Sequence, residues 1–344
     1  MSNKFMHLVA ISSALLTAAV SVQADQVEPQ AAYQMPLAAN SLLTDIIDVQ
    51  GTALVVVGER GHILVSKDGE QWQQAQVPVQ ANLNSVYFAN KQYGWAVGHD
   101  ASILHTTDGG LSWQIQHFAP ETDKPLFDIY FSDLQNGIAV GAYGLFYRSL
   151  DGGVSWNKEF HPELLSEDDQ DYLADLQQTD PDLYVIEQGA ILPHFNRLFA
   201  DGNVLYMVGE AGFAAKSTDL GQSWSRLEEF YNGSLFDITR SEQMSLIAVG
   251  LRGHAFKSTD QGNTWLPLEL EETATFNSVF SDAAGRLYLV GNAGSLLVSN
   301  NDGISFSDSS QANGKAIVNG LVWQDKLILV TETGVKTIKL SELE

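Results

Sequence analysis

A Val-Gly step recurs along the chain at nearly constant spacing, and no other feature narrows the possible folds as far. The pairs are Val57-Gly58, Val97-Gly98, Val140-Gly141, Val208-Gly209, Val249-Gly250 and Val290-Gly291, with Val330-Thr331 as a degenerate seventh copy. Successive glycines lie 40, 43, 68, 41 and 41 residues apart. A period near 40 in β-rich sequence is that of a four-stranded propeller blade. Each unit repeats one plan. An apolar strand with a polar start, such as Asn84-Ser85-Val86-Tyr87-Phe88, precedes the strand that ends in Val-Gly. A tight turn, a third strand, a polar turn and an aromatic residue opening the fourth strand complete it. The glycine reads as supplying a conformation that other residues resist.

Seven units follow, at about 41–79, 81–120, 124–161, 193–231, 234–272, 274–310 and 316–340. The chain is therefore predicted to be an all-β, seven-bladed β-propeller. The seventh unit has strands at Val318-Trp323, Lys326-Val330 and Val335-Leu340 but no fourth. The segment Val27 to Leu37 is expected to supply it, closing the ring with an N-terminal strand and removing an exposed sheet edge.

The polar turn is the sharpest local motif. It reads Ser-x-Asp-x-Gly-x-Ser/Thr-Trp at Ser217–Trp224 and Ser258–Trp265, with Asp219 and Asp260 at its centre. The same plan pairs Asp108 with Trp113 and Asp151 with Trp156; Asp68 with Trp72 is one residue shorter, and Ser299–Phe306 is eroded, with Asn301 and Phe306 in the key places. This is the Asp-box of bacterial neuraminidase-type repeats. Its aspartate should accept backbone N–H groups of its own turn while the indole packs between sheets. That makes it a structural staple rather than a site of chemistry.

At the N-terminus, Lys4 precedes the apolar run Leu8–Val20 and then Val22-Gln23-Ala24, with small residues at the cleavage-type positions. This pattern fits a secretory signal peptide over residues 1–24, leaving a propeller over 25–344. Periplasmic export is expected. No other segment reaches the roughly 20 apolar residues of a membrane span, so no stable membrane insertion is expected. The chain has no cysteine, which excludes disulfides and thiolate metal sites. Its net charge of −24 repels nucleic acid.

The long 68-residue interval contains an insertion, 162–192, between the third and fourth blades. It holds Glu163, Glu167, Asp168, Asp169, Asp171, Asp175, Asp180, Asp182 and Glu187, and no Lys or Arg. Ser166 with Asp169 resembles a capping box, and Leu165, Tyr172, Leu173 and Leu176 would line one face of a short helix. The alternating ligands and central glycine of an EF-hand loop are missing, and no metal is expected.

In a propeller, the turns between second and third strands share a face with the connections between blades. The insertion therefore belongs to that face, and Asp-box turns to the other. The first set is chemically varied: Glu59-Arg60-Gly61-His62, His99-Asp100, Ala142-Tyr143-Gly144, Glu210-Ala211-Gly212, Leu251-Arg252-Gly253-His254, Asn292-Ala293-Gly294 and Glu332-Thr333-Gly334. Binding residues tend to sit in loops carried on a rigid scaffold. Partner-binding candidates on this face are Arg60, His62, His99, Asp100, Tyr143, Glu210, Arg252 and His254. Aligning the starts of the inner strands adds a ring at the channel mouth: Asp45, Ser85, Asp128, Arg197, Asp237, Ser278 and Gly320. Within it, Arg197 either pairs with Asp128 or Asp237 as structure, or helps form a polar mouth for a partner's chain terminus or side chain; Asp128 and Arg197 join the candidates.

Catalytic residues are not identified. A sialidase-type site needs three arginines gathered on a carboxylate, and a glycosidase needs two carboxylates a few ångström apart. With 42 acidic residues, the second criterion selects nothing. A carbohydrate-active propeller, binding glycans or cleaving them, is the alternative reading. No cofactor is called for.

The phrase Gly94-Trp95-Ala96-Val97-Gly98 through Ile103-Leu104-His105-Thr106-Thr107-Asp108-Gly109-Gly110-Leu111-Ser112-Trp113 resembles the repeat of the photosystem II stability/assembly factor family. The resemblance implies an exported, non-enzymatic seven-bladed propeller that assists membrane polypeptides. Photosynthetic members present an arginine-rich surface to their client; here Arg60, Arg197 and Arg252 are isolated. The implied role is an accessory factor, expected to be monomeric, beside a membrane protein complex of transporter type, as in non-photosynthetic bacterial relatives.

Overall fold

The computed structural model describes residues 28–343; the expected signal segment, 1–24, lies outside the described residues. Seven antiparallel sheets succeed one another in chain order, six with four strands and the last with three. Blade one shows the pattern: Leu43–Asp48 innermost, then Leu54–Gly58, Ile63–Ser66 and the short outer strand Gln73–Gln74. The chain is a mostly-β seven-bladed propeller.

The apolar runs before each Val-Gly step are continuous rather than alternating because both faces of a blade are covered by its neighbours. In blade one, Val55 and Val57 pack toward Val86 and Phe88 of blade two. Leu54 and Val56 pack the other way, toward Trp323 and Ile328 of blade seven. The core is thus a series of interblade layers. Burying each such Val or Leu is worth about 1.5–3 kcal/mol.

The Val-Gly glycine has a different purpose from the expected one. Gly58, Gly141, Gly250 and Gly291 have φ between −164° and −175°, extended backbone that any residue adopts. Close approach is what requires glycine. A Cβ on Gly98 would lie 2.0 Å from the Asn82 carbonyl oxygen, which arrives on the preceding interblade connection.

The N-terminal strand Leu43–Asp48 closes the ring by packing on the inner strand of blade seven, Ile317–Trp323. The expectation for Val27–Leu37 needs correction. Its described part, 28–37, forms no strand and lies along the outer rim of blade one, where Ala32 N–H donates to the Val77 carbonyl (2.9 Å) and Gln34 Nε2 to the Ala75 carbonyl (3.0 Å). Blade seven therefore ends at Gly334–Lys339, its third strand.

The insertion forms two helices, α1 (Glu167–Thr179) and α2 (Pro181–Gln188). Ser166 caps α1 as expected, its hydroxyl accepting the Asp169 N–H at 3.1 Å. Leu165, Leu173 and Leu176 anchor the insertion in the core between blades three and four. Tyr172, expected on that face, points to solvent instead; α2 was not foreseen. Among the described residues no helix is long and apolar enough to cross a membrane.

Candidate functional site

The Asp-box turns are built as staples. Asp108 Oδ1 accepts the N–H groups of Leu111 and Ser112, each at 3.0 Å, and Oδ2 accepts the Ser112 hydroxyl at 2.6 Å. A reciprocal element was not anticipated: Thr106 Oγ1 donates to Asp108 and accepts the Gly110 N–H at 3.0 Å. Asp151, Asp219 and Asp260 repeat the scheme. Asn301 repeats it with an amide, receiving the Ser305 N–H and donating to its hydroxyl. Trp113 and Trp224 are buried, whereas Trp72, Trp156 and Trp265 are half-buried. The Ser223 hydroxyl and N–H hold Asp219 at about 2, well below the usual carboxylate range.

The channel mouth is where the strands place the most unusual side chains. In every blade a bulge near the start of the inner strand turns one residue toward the mouth and the next into a ring. The ring is Asp45, Ser85, Asp128, Arg197, Asp237, Ser278 and Asn319. The seventh member is Asn319, paired with Val330, rather than Gly320. Counting two residues on from the buried apolar residue that opens each inner strand (Leu43, Leu83, Leu126, Phe195, Leu235, Phe276, Ile317) would have found it.

The ring forms one polar circuit through all seven blades. Ser85 Oγ bridges Asp45 Oδ2 (3.1 Å) and Asp128 Oδ1 (2.6 Å). Asp128 Oδ2 accepts the Leu198 N–H at 2.7 Å, and Arg197 Nε stands 3.3 Å from Asp237 Oδ1. Ser278 Oγ bridges Asp237 Oδ2 (2.6 Å) and Asn319 Oδ1 (2.7 Å). Asn319 Nδ2 then donates to Asp45 Oδ1 at 2.6 Å and returns the circuit to blade one.

Arg197 lies inside this circuit, with ion pairs to Asp128 at 3.8 Å and Asp45 at 3.7 Å besides Asp237. Burial opposes its charge, but Asp128, Asp45 and Asp237 together raise its pKa above the ordinary value. Burial also pushes the Asp128 and Asp237 carboxyls up, outweighing the pull of Arg197. The pairing expected with Asp128 or Asp237 is thus made with both, and with Asp45 too.

Arg197, 27 % exposed, separates two spaces. One is a mouth cavity of about 400 Å³ lined by Thr44, Asn84, Phe127, Asn196, Phe236 and Asn277 among others. The other, about 440 Å³, lies along the channel beneath. Asn84, Asn196 and Asn277 each donate Nδ2 to a carbonyl of the following blade, at 2.7–2.8 Å. Among the described residues Arg197 is the one arginine lining either space. Arg148, Arg240 and Arg286 are each held by a carboxylate elsewhere. A three-arginine cluster on a substrate carboxylate is therefore not assembled in the channel.

The variable turns present their tips uniformly. Arg60, Asp100, Tyr143 and Arg252 all have left-handed backbone, φ 52° to 59°. Hydrogen bonds tie these turns to the interblade connections, as when Gly144 N–H donates to the Pro193 carbonyl at the end of the insertion (2.9 Å). Arg60, His99, Tyr143, Glu210, Arg252 and His254 are exposed and Asp100 is half-buried. His62 is not on the surface: it is buried, its Nδ1 3.1 Å from Gln74 Nε2, and burial lowers its pKa. Tyr143 meets His194 edge-on (4.5 Å) and Lys124 lies 5.5 Å from its ring, two neighbours that the repeat alone does not single out. Among the described residues no three His, Asp or Glu side chains gather as metal ligands.

Comparison with known proteins gives a consistent picture of the repeat and the fold. The model of the family "Photosynthesis system II assembly factor YCF48" matches residues 64–125. The Ycf48 photosystem II assembly protein of Synechococcus sp. (strain JA-3-3Ab) is 45% identical over 47 residues, which cover 13% of this chain and 14% of that protein. The matched segment thus spans about a seventh of that relative's length. A solved structure described as YCF48 bound to D1 peptide superposes with a TM-score of 0.66 at 21% identity, covering 92% of this chain and 97% of that one. Streptogramin B lyase reaches the same TM-score of 0.66 at 10% identity, covering 87% and 93%. Likeness at such identities speaks for the fold alone. The resemblance read from Gly94–Trp113 holds: the chain carries the Ycf48-type repeat on a seven-bladed propeller.

Proposed function

We propose that this propeller is a non-enzymatic assembly or accessory factor that docks on a membrane protein complex through the face carrying the variable turn tips and the acidic insertion. The observation that carries the reading is the insertion itself. It is anchored in the core by Leu165, Leu173 and Leu176, yet exposes Val185 and Ile186, each 67 % exposed, on α2. Exposed apolar residues on a firmly anchored element suit protein contact. The Ycf48-type repeat supports the same class of work, since proteins bearing it are described as photosystem II assembly proteins. A transporter-type partner is favoured over a photosystem because Arg60 and Arg252 stand apart and Arg197 is engaged by carboxylates. The reading puts the protein in the periplasm, supported by the apolar run Leu8–Val20.

The test is capture from detergent-solubilised membranes by the mature protein. A membrane complex should be recovered, and deleting 163–190 should reduce its yield at least fivefold while the far-UV spectrum of the propeller is kept. Undiminished recovery by the deletion variant would remove the insertion from the docking face.

A further inference from the structure

Among the described residues six blades complete a fourth strand and the seventh does not. Its last strand, Gly334–Lys339, is six residues long, whereas the third strands of the other blades have four. The hairpin that introduces it has a two-residue loop closed by the pair Thr331–Gly334. In such hairpins the closing pair is hydrogen-bonded, and alternation along an antiparallel ladder turns every second residue's N–H and C=O outward. The outward groups are those of Val335, Thr337 and Lys339. Among the described residues, none of these backbone groups has a hydrogen-bond partner on that side. The N-terminal segment 28–37 runs along blade one instead, and Ala38–Asn40 crosses the start of the strand at Gly334 and Val335 without a backbone hydrogen bond to it.

The side chains of this edge select its guest. Thr337 is tied to blade one, its hydroxyl donating to the Gly69 carbonyl at 3.0 Å, and Ile338 is buried against blade six, so the strand is held from both faces. Lys336, bonded to Gln311, and the exposed Lys339 make the edge basic in a chain of net charge −24. Lysines on an edge oppose pairing with a second copy, which would bring like charges together. They favour a strand of opposite charge.

We propose that the outer edge of blade seven is a strand-addition site for an extended, acidic peptide segment of a partner protein. The guest would pair with Val335, Thr337 and Lys339 as a fourth strand and set its alternate carboxylates on the Lys339 face of the sheet. This surface is separate from the docking face described above.

The probe is a fluorescein-labelled acetyl-(Glu-Val)4-amide, with (Lys-Val)4 as its counterpart, titrated into the mature protein by anisotropy. The acidic peptide should bind at least tenfold more tightly than the basic one. Thr337→Pro, which removes an outward N–H, and Lys339→Glu, which keeps the backbone and reverses the charge, should each weaken it tenfold or more. Hydrogen exchange should show the Val335, Thr337 and Lys339 amides fast in the free protein and slowed by peptide. Deleting 163–190 should leave peptide binding unchanged, so that failure of the docking face and failure of the edge are told apart. Slow exchange at those amides before peptide is added, equal binding of both peptides, unaltered binding by Lys339→Glu, or loss of binding by a 163–190 deletion variant that still unfolds cooperatively would each overturn the proposal.

Discussion

Replacing Arg197 by methionine keeps the aliphatic stem and removes the charge that three buried aspartates share. Asp45, Asp128 and Asp237 are 3–5 % exposed and lie 3.3–3.8 Å from the guanidinium. At an effective dielectric near 20, each contact is worth about 4–5 kcal/mol before desolvation. Desolvation of Arg197 and repulsion among the aspartates cancel most of that sum. Breaking a buried pair, by contrast, leaves uncompensated charge and costs about 3–5 kcal/mol. Arg197→Met should therefore lose about 3–5 kcal/mol in urea unfolding at pH 7. The deficit should depend on pH. Asp128 and Asp237 already have raised pKa values in the folded protein, and losing Arg197 raises them further. A group that binds its proton more tightly when folded gives stability as pH falls, so the deficit should shrink toward pH 4–5. Adding Asp128→Asn should restore part of the loss at pH 7, since the amide mimics the protonated acid. A loss below about 1 kcal/mol at pH 7, or one equal at pH 7 and pH 4.5, would refute the view that Arg197 neutralises the ring.

Two further outcomes follow from the staples. Trp113 is 4 % exposed, meets Phe88 edge-on at 6.1 Å and donates Nε1–H to the Gly110 carbonyl at 3.0 Å, so Trp113→Ala should cost about 3–5 kcal/mol in the same unfolding assay; a loss within about 0.5 kcal/mol would mean that the indole is not a core residue. Asp219, with its pKa depressed to about 2 in the folded state, contributes stability that is present above about pH 4 and lost as pH falls toward 2. Asp219→Asn, whose amide blade six shows to fit the same turn, should lower the unfolding midpoint slightly at pH 6 and not at pH 2; a difference that grows on acidification would contradict this assignment.

Much of the architecture was legible because a propeller repeats its local chemistry. The Val-Gly step, the continuous apolar strand before it and the Asp-box recur every 40 or so residues, and each is satisfied within its own blade or by the next. The capping box at Ser166 was equally readable, since its partners lie within one helical turn. The ring was nearly readable: six of its seven members came from aligning strand starts, and the seventh slipped by one residue because a bulge, absent from any propensity, decides which side chain faces inward.

What depends on the relative placement of distant segments was decided only by the fold. That Gly98 is needed for a carbonyl arriving from the preceding connection, rather than for its own torsion angles, appears only when two chain segments are brought within 2.0 Å of a Cβ position. That His62 is buried while His254, in an equivalent turn, is exposed depends on a terminal segment crossing the rim of blade one: Gln74 Nε2, which meets His62, also donates to the Tyr33 carbonyl. The path of that same segment leaves blade seven with an open edge. Sequence by itself determined the number of blades and the staple in six of them, because those rest on contacts a few residues apart. Tertiary structure alone decided how Arg197 is shared among three aspartates and which outer strand edge is left unpaired among the described residues, because those depend on distant parts of a long chain meeting around one axis.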